Sequence, residues 1–90
     1  MMHAAAAETL ALKALAHLAE NGDALLRFLT ISGLDPEDLR RRAADREMLA
    51  AVMDFVLSED SLCAAFLEAE ALPAQTLHAA RRALPGAHQM

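Results

Sequence analysis

The stretch Met48-Leu49-Ala50-Ala51-Val52-Met53-Asp54-Phe55-Val56-Leu57 decides the fold. It is too short and too interrupted to cross a membrane and carries a single charge, Asp54. Read as a helix it has no broad polar face, so it belongs inside the fold with other helices around it. Nothing nearby supplies strands: β-branched residues are few and never alternate with polar ones. The chain is therefore read as all-α, a compact bundle of five to six short helices.

The flanking sequence divides the rest. A first helix is expected from Ala4 or Ala5 to Asn21, with Leu10, Ala11, Ala14, Leu15 and Leu18 on its apolar side. Gly22 is read as its left-handed cap and Asp23 as the N-cap of a second helix, Ala24 to Ser32, which Gly33 ends. Asp35-Pro36-Glu37-Asp38 is a strong start signal for a short third helix. A capping acid precedes a proline, two acids sit at the positive end of the helix dipole, and Arg40 to Arg42 lie towards the other end. Asp45 caps the central helix. Asp60 or Ser61 caps a fifth, Leu62 to Glu70, and Leu72-Pro73 opens a sixth that runs to Leu84. Residues 1–4 and 86–90 are expected to fray.

A shift of 38 residues sets Phe28-Leu29 on Phe66-Leu67, Leu34 on Leu72 and Leu39 on Leu77. The same shift sets the first helix on the central one. The single domain thus reads as two pseudo-symmetric three-helix units, roughly 8–45 and 46–83, with chance matching of helical periodicity as the alternative.

Composition bounds the function. The 90 residues are 56% hydrophobic, much of it alanine, with no Trp or Tyr, so the core is small in volume. Completing such a core by forming a homodimer is an open alternative. Thirteen acids against eight bases give a net charge of −5. That balance opposes non-specific nucleic-acid binding and attraction to an anionic membrane surface. One cysteine, Cys63, allows no internal disulfide and fits a reducing cytoplasm. Its neighbours Glu59, Asp60, Glu68 and Glu70 are acidic and disfavour a reactive thiolate.

No constellation of catalytic or metal-ligating residues is found. His3, His17, His78 and His88 have no zinc-site spacing and read as solvated, and the serines sit at expected helix ends. No catalytic residue, cofactor or metal is expected. Helix, glycine-containing turn and helix over Ala24 to Ala44, with Arg40, Arg41, Arg42 and Arg46, superficially match a helix-turn-helix. Asp35, Glu37 and Asp38, however, sit at the end that would meet DNA. Charge is also uneven: Glu47, Asp54, Glu59, Asp60, Glu68 and Glu70 follow those arginines with no Lys or Arg among them. The arginines are the candidate interaction surface, at the rim of apolar helix faces. Asp54 is singled out as a structural polar residue that needs an arginine or a helix end.

The frames Glu8 to Leu15, Leu26-Arg27-Phe28-Leu29, Gly33-Leu34-Asp35-Pro36-Glu37-Asp38-Leu39-Arg40 and Val52 to Leu57 resemble a bacterial family of small proteins, catalogued as domain of unknown function 3572. The resemblance covers about residues 8–84. It implies a small, helical, cytoplasmic protein and transfers no catalytic residues. The functional expectation is a non-enzymatic protein–protein interaction or regulatory module with an unidentified protein partner. The alternative is a nucleic-acid-binding helix-turn-helix protein.

Overall fold

The computed structural model describes residues 2–85. Six helices follow one another: α1 (Ala4–Ala19), α2 (Gly22–Ser32), α3 (Pro36–Arg41), α4 (Arg46–Ser58), α5 (Asp60–Glu70) and α6 (Ala74–Arg82). No strand occurs among the described residues. The Cα radius of gyration, 12.0 Å, matches the roughly 12 Å of a compact chain of this length.

The apolar stretch forms α4, and it lies at the centre. Met48, Leu49, Ala50, Val52, Met53, Phe55 and Val56 are all buried. Its exposed strip is one residue wide: Glu47, Ala51, Asp54 and Ser58. Helix α1 lies against it through Ala7, Leu10, Ala11, Ala14 and Leu18, and the α1–α4 contact is the most extensive in the fold. The alanines let the two backbones approach, so the larger Val52, Met53 and Val56 fill the space between them. Burying each of these three is worth about 1.5–3 kcal/mol relative to leaving it in water. Helices α5 and α6 also lie against both α1 and α4, bringing Leu62, Phe66, Leu77 and Ala80 into the same core. The Phe28 ring meets Phe55 edge-on at 5.4 Å and pins α2 to α4.

Several helix ends differ from expectation. The Asn21 side chain accepts a hydrogen bond from the Ala24 amide at 3.1 Å, so Asn21 is the N-cap of α2. Gly22 opens that helix, and Asp23 sits in its first turn. An asparagine oxygen satisfies an orphan amide there, and no left-handed residue is needed at the junction. Helix α5 begins at Asp60 behind Glu59, with no side-chain cap, and α6 ends at Arg82. The third helix starts as expected: Asp35 accepts from the Asp38 amide at 2.8 Å, and Asp38 accepts from the Asp35 amide at 3.5 Å. At the N-terminus the expectation of fraying fails, because Ala4 is helical and Met2 packs against the core. Residues 86–90, including Gly86 and His88, lie outside the described residues.

The 38-residue offset recurs in the backbone. Helices α2 and α5 begin at 22 and 60, are 11 residues long, and follow N-caps with φ/ψ of −110/97 and −111/95. Helices α3 and α6 begin at 36 and 74. The buried residues of α2, Ala24 and Phe28, fall on those of α5, Leu62 and Phe66. The third helices do not share a role: α3 buries no residue, whereas α6 buries Leu77 and Ala80.

The same offset pairs two left-handed C-caps, Gly33 (φ 76) and Ala71 (φ 55). Ala71 is followed by a Leu72 amide that donates to the Leu67 carbonyl at 2.9 Å, a bond that holds the turn closed. An alanine pays for this conformation in Cβ–carbonyl crowding that glycine avoids. Ala71→Gly is therefore expected to stabilise the protein by about 0.5–1 kcal/mol. Gly33→Ala, where a Cβ meets nothing within 4 Å, should destabilise it by about 1 kcal/mol through backbone strain alone. Urea denaturation midpoints of the two variants check both signs.

Candidate interaction surface

The arginines picked out in the sequence are exposed, and each is already held by a carboxylate. Arg40 donates to Glu37 at 3.0 Å, Arg41 to Asp38, and Arg42 to Asp45 at 3.5 Å, all within or just beyond α3. Arg46 reaches back to Glu8 and ties the start of α4 to α1. The local acids that start α3 and α4 thus neutralise the basic stretch. Three further pairs link helices: Lys13–Glu70 at 3.6 Å, Arg27–Glu59 at 2.8 Å and Arg81–Asp54 at 2.6 Å. Seven of the eight Lys and Arg residues are therefore engaged, and among the described residues Arg82 has no carboxylate partner.

Asp54 finds the arginine expected of it. Arg81 Nε and one terminal nitrogen donate to its two oxygens at 2.6 and 3.1 Å. The other terminal nitrogen donates to the Leu84 and Pro85 carbonyls at 3.4 and 3.1 Å. One guanidinium thereby joins the middle of α4 to the end of α6. The Arg81 side chain is 14% exposed, which corrects its assignment to the wet side of α6. The signal was present in the spacing: Leu77, Ala80, Arg81 and Leu84 occupy one helical stripe. His17 is also drawn inward, with its ring edge-on to Phe66 at 5.5 Å, so it is not a solvated surface residue. His3 and His78 are exposed. Cys63 is a half-buried free thiol, and no cluster of three His, Cys, Asp or Glu residues among those described could hold a metal ion.

Apolar surface is concentrated on α2. Leu26 and Ile31 are 65% and 72% exposed, and Leu29 and Leu34 are half-buried beside them. A groove on one side of α2 is lined by Leu26, Leu29, Leu34 and Pro36. Another, between α2 and α4, is lined by Phe28, Ile31, Ala51 and Phe55. The residues 38 positions on from Leu26 and Ile31 are Ala64 and Ala69, also exposed, so α5 presents methyl groups where α2 presents full side chains. Leu26 and Ile31 were not singled out as site residues from sequence. Ile31 was read as part of the buried side of α2, because a short helix with apolar residues on several sides does not reveal which side packs.

A six-helix, all-α domain without a catalytic or metal-binding cluster among its described residues is the class this geometry defines. The family model described as "Protein of unknown function (DUF3572)" matches residues 4–87, nearly the whole chain, and the protein belongs to that family. No curated protein and no solved structure matches the chain. No helix among the described residues is long and apolar enough to cross a membrane.

Two measurements separate structural side chains from bystanders. Arg81→Ala should lower stability by about 1–2 kcal/mol, because it strips charged hydrogen bonds from Asp54 and two carbonyls. Arg40→Ala, removing a solvent-washed pair, should stay within about 0.5 kcal/mol by the same denaturation assay. For Cys63, burial and then the nearby Asp60 charge push the thiol above its ordinary pKa. Iodoacetamide at pH 8 should therefore alkylate it more slowly than it alkylates free glutathione, and Asp60→Asn should raise the rate.

Proposed function

We propose that this protein is a non-enzymatic interaction module that presents α2 to a protein partner. The observation that carries this reading is the pair Leu26 and Ile31, two large apolar side chains held in water on one short helix. Single exposed apolar residues are ordinary, but these two join half-buried Leu29 and Leu34 and two grooves into one continuous face. The face sits on a helix fixed by the Phe28–Phe55 contact, so it is offered without a change of fold. Arg40, Arg41, Arg42 and Arg46 act as a charged rim that is already paired within the chain, giving orientation more than affinity.

Nucleic-acid binding has less support. A recognition helix must bring cationic or polar groups to the groove, and α3 is six residues long with three carboxylates at its leading end. Its arginines are matched by acids before any phosphate arrives.

Site-specific photocrosslinking in cells tests the reading. A crosslinking amino acid at position 31 should give a discrete adduct with another polypeptide. The same group at position 12, where Leu12 is 43% exposed on α1, should not. Equal labelling from both positions, or no adduct from position 31, would remove the basis for an α2 interface.

A further inference from the structure

The apolar face of α2 is bracketed by one sign of charge. Asp23 lies on the same helix one turn before Leu26 and Arg27. Asp35 shares a groove with Leu26 and Leu29 beyond the other end. The Arg27–Glu59 bridge, 2.8 Å long, brings the start of α5 alongside, and Asp60 follows Glu59 there. Among the described residues none of Asp23, Asp35 and Asp60 is paired with a Lys or Arg. Arg27, the cation on this face, is held by Glu59. Two exposed apolar side chains thus stand among three uncompensated carboxylates.

We infer that the face takes an amphipathic helix of another protein, apolar on one side and flanked by Lys or Arg. The inference rests on the interaction reading above and adds the chemistry of the partner. The groove between α2 and α4 has a floor of Phe28, Ala51 and Phe55 and a wall at Ile31, the arrangement in which one helix lies along two others. Basic side chains of the incoming helix reach Asp23 and Asp60 at one end and Asp35 at the other. A second copy of this chain fits worse. An isologous contact sets a patch against itself, so the three acids would face the same three acids. Seven of the eight cations that a second copy could bring are already engaged in its own salt bridges. Like charges placed across an interface oppose association.

The test uses the full chain and two fluorescent helical peptides, with leucines on one face and lysines on the other, or glutamates in place of every lysine. Fluorescence anisotropy should show saturable one-to-one binding of the lysine peptide, and binding of the glutamate peptide weaker by at least about tenfold. Ile31→Asp should weaken the lysine peptide by about tenfold or more, and Leu12→Asp, the surface control, should leave it unchanged. Asp23→Asn with Asp60→Asn should lower affinity and flatten its dependence on salt. Circular dichroism melts confirm that each variant is folded. Absence of binding, equal binding of both peptides, or indifference to Ile31→Asp overturns the inference. If the glutamate peptide binds and Ile31→Asp abolishes it, the partner chemistry is wrong while the α2 interface stands. If the position-31 crosslink joins two copies of this chain, a homodimer replaces the basic helix.

Discussion

The contact between α1 and α4 is the constraint on which the other helices depend. Helix α4 has a polar strip only one residue wide, so water is excluded from almost all of its circumference. One neighbour cannot do that. Helix α1 covers one side through an alanine-rich stripe, and α2, α5 and α6 close the remainder with Phe28, Phe66 and Leu77. Because alanine buries little area, α1 contributes proximity and α4 contributes volume. A core of this composition works only if the backbones approach closely.

Electrostatics follows the same economy. Seven ion pairs satisfy nearly every cation, and three of them join neighbouring residues around α3. Exposed pairs of that kind contribute little to stability. Their effect is to remove the basic stretch as a binding surface for polyanions. The Asp54–Arg81 pair differs, because its guanidinium is largely covered and also bonds two backbone carbonyls. It occurs where the two halves of the chain diverge: the positions 38 residues earlier hold Ala16 and Ala43.

Much of the fold was legible in the sequence, for identifiable reasons. The Asp35-Pro36 start and the Gly33 stop are local signals whose geometry is decided within a few residues, and both appear as expected. The apolar girth of Met48 to Leu57 required enclosure whatever surrounded it. Junctions were less legible. At Asn21-Gly22-Asp23 three residues each suited a cap, and only backbone geometry chose Asn21. The surface was least legible. Whether Ile31 faces in or out depends on how α2 is rotated against α4, and the Phe28–Phe55 contact decides this. Arg81 was within reach, since it shares a stripe with Leu77, but its charge argued for water more strongly than its spacing argued for the core.

The turn from Arg42 to Asp45 has a consequence for how the domain assembles. It separates residues 4–41 from residues 46–82, yet the largest buried contact, α1 on α4, spans it. Neither half contains its own centre. Folding is thus close to an intramolecular docking reaction, in which a four-residue tether sets the effective concentration of one half at the other. Lengthening that tether dilutes the reaction only logarithmically. Cutting it turns an intramolecular equilibrium into a concentration-dependent one. The short connection is therefore as much a part of the core's stability as the side chains it brings together.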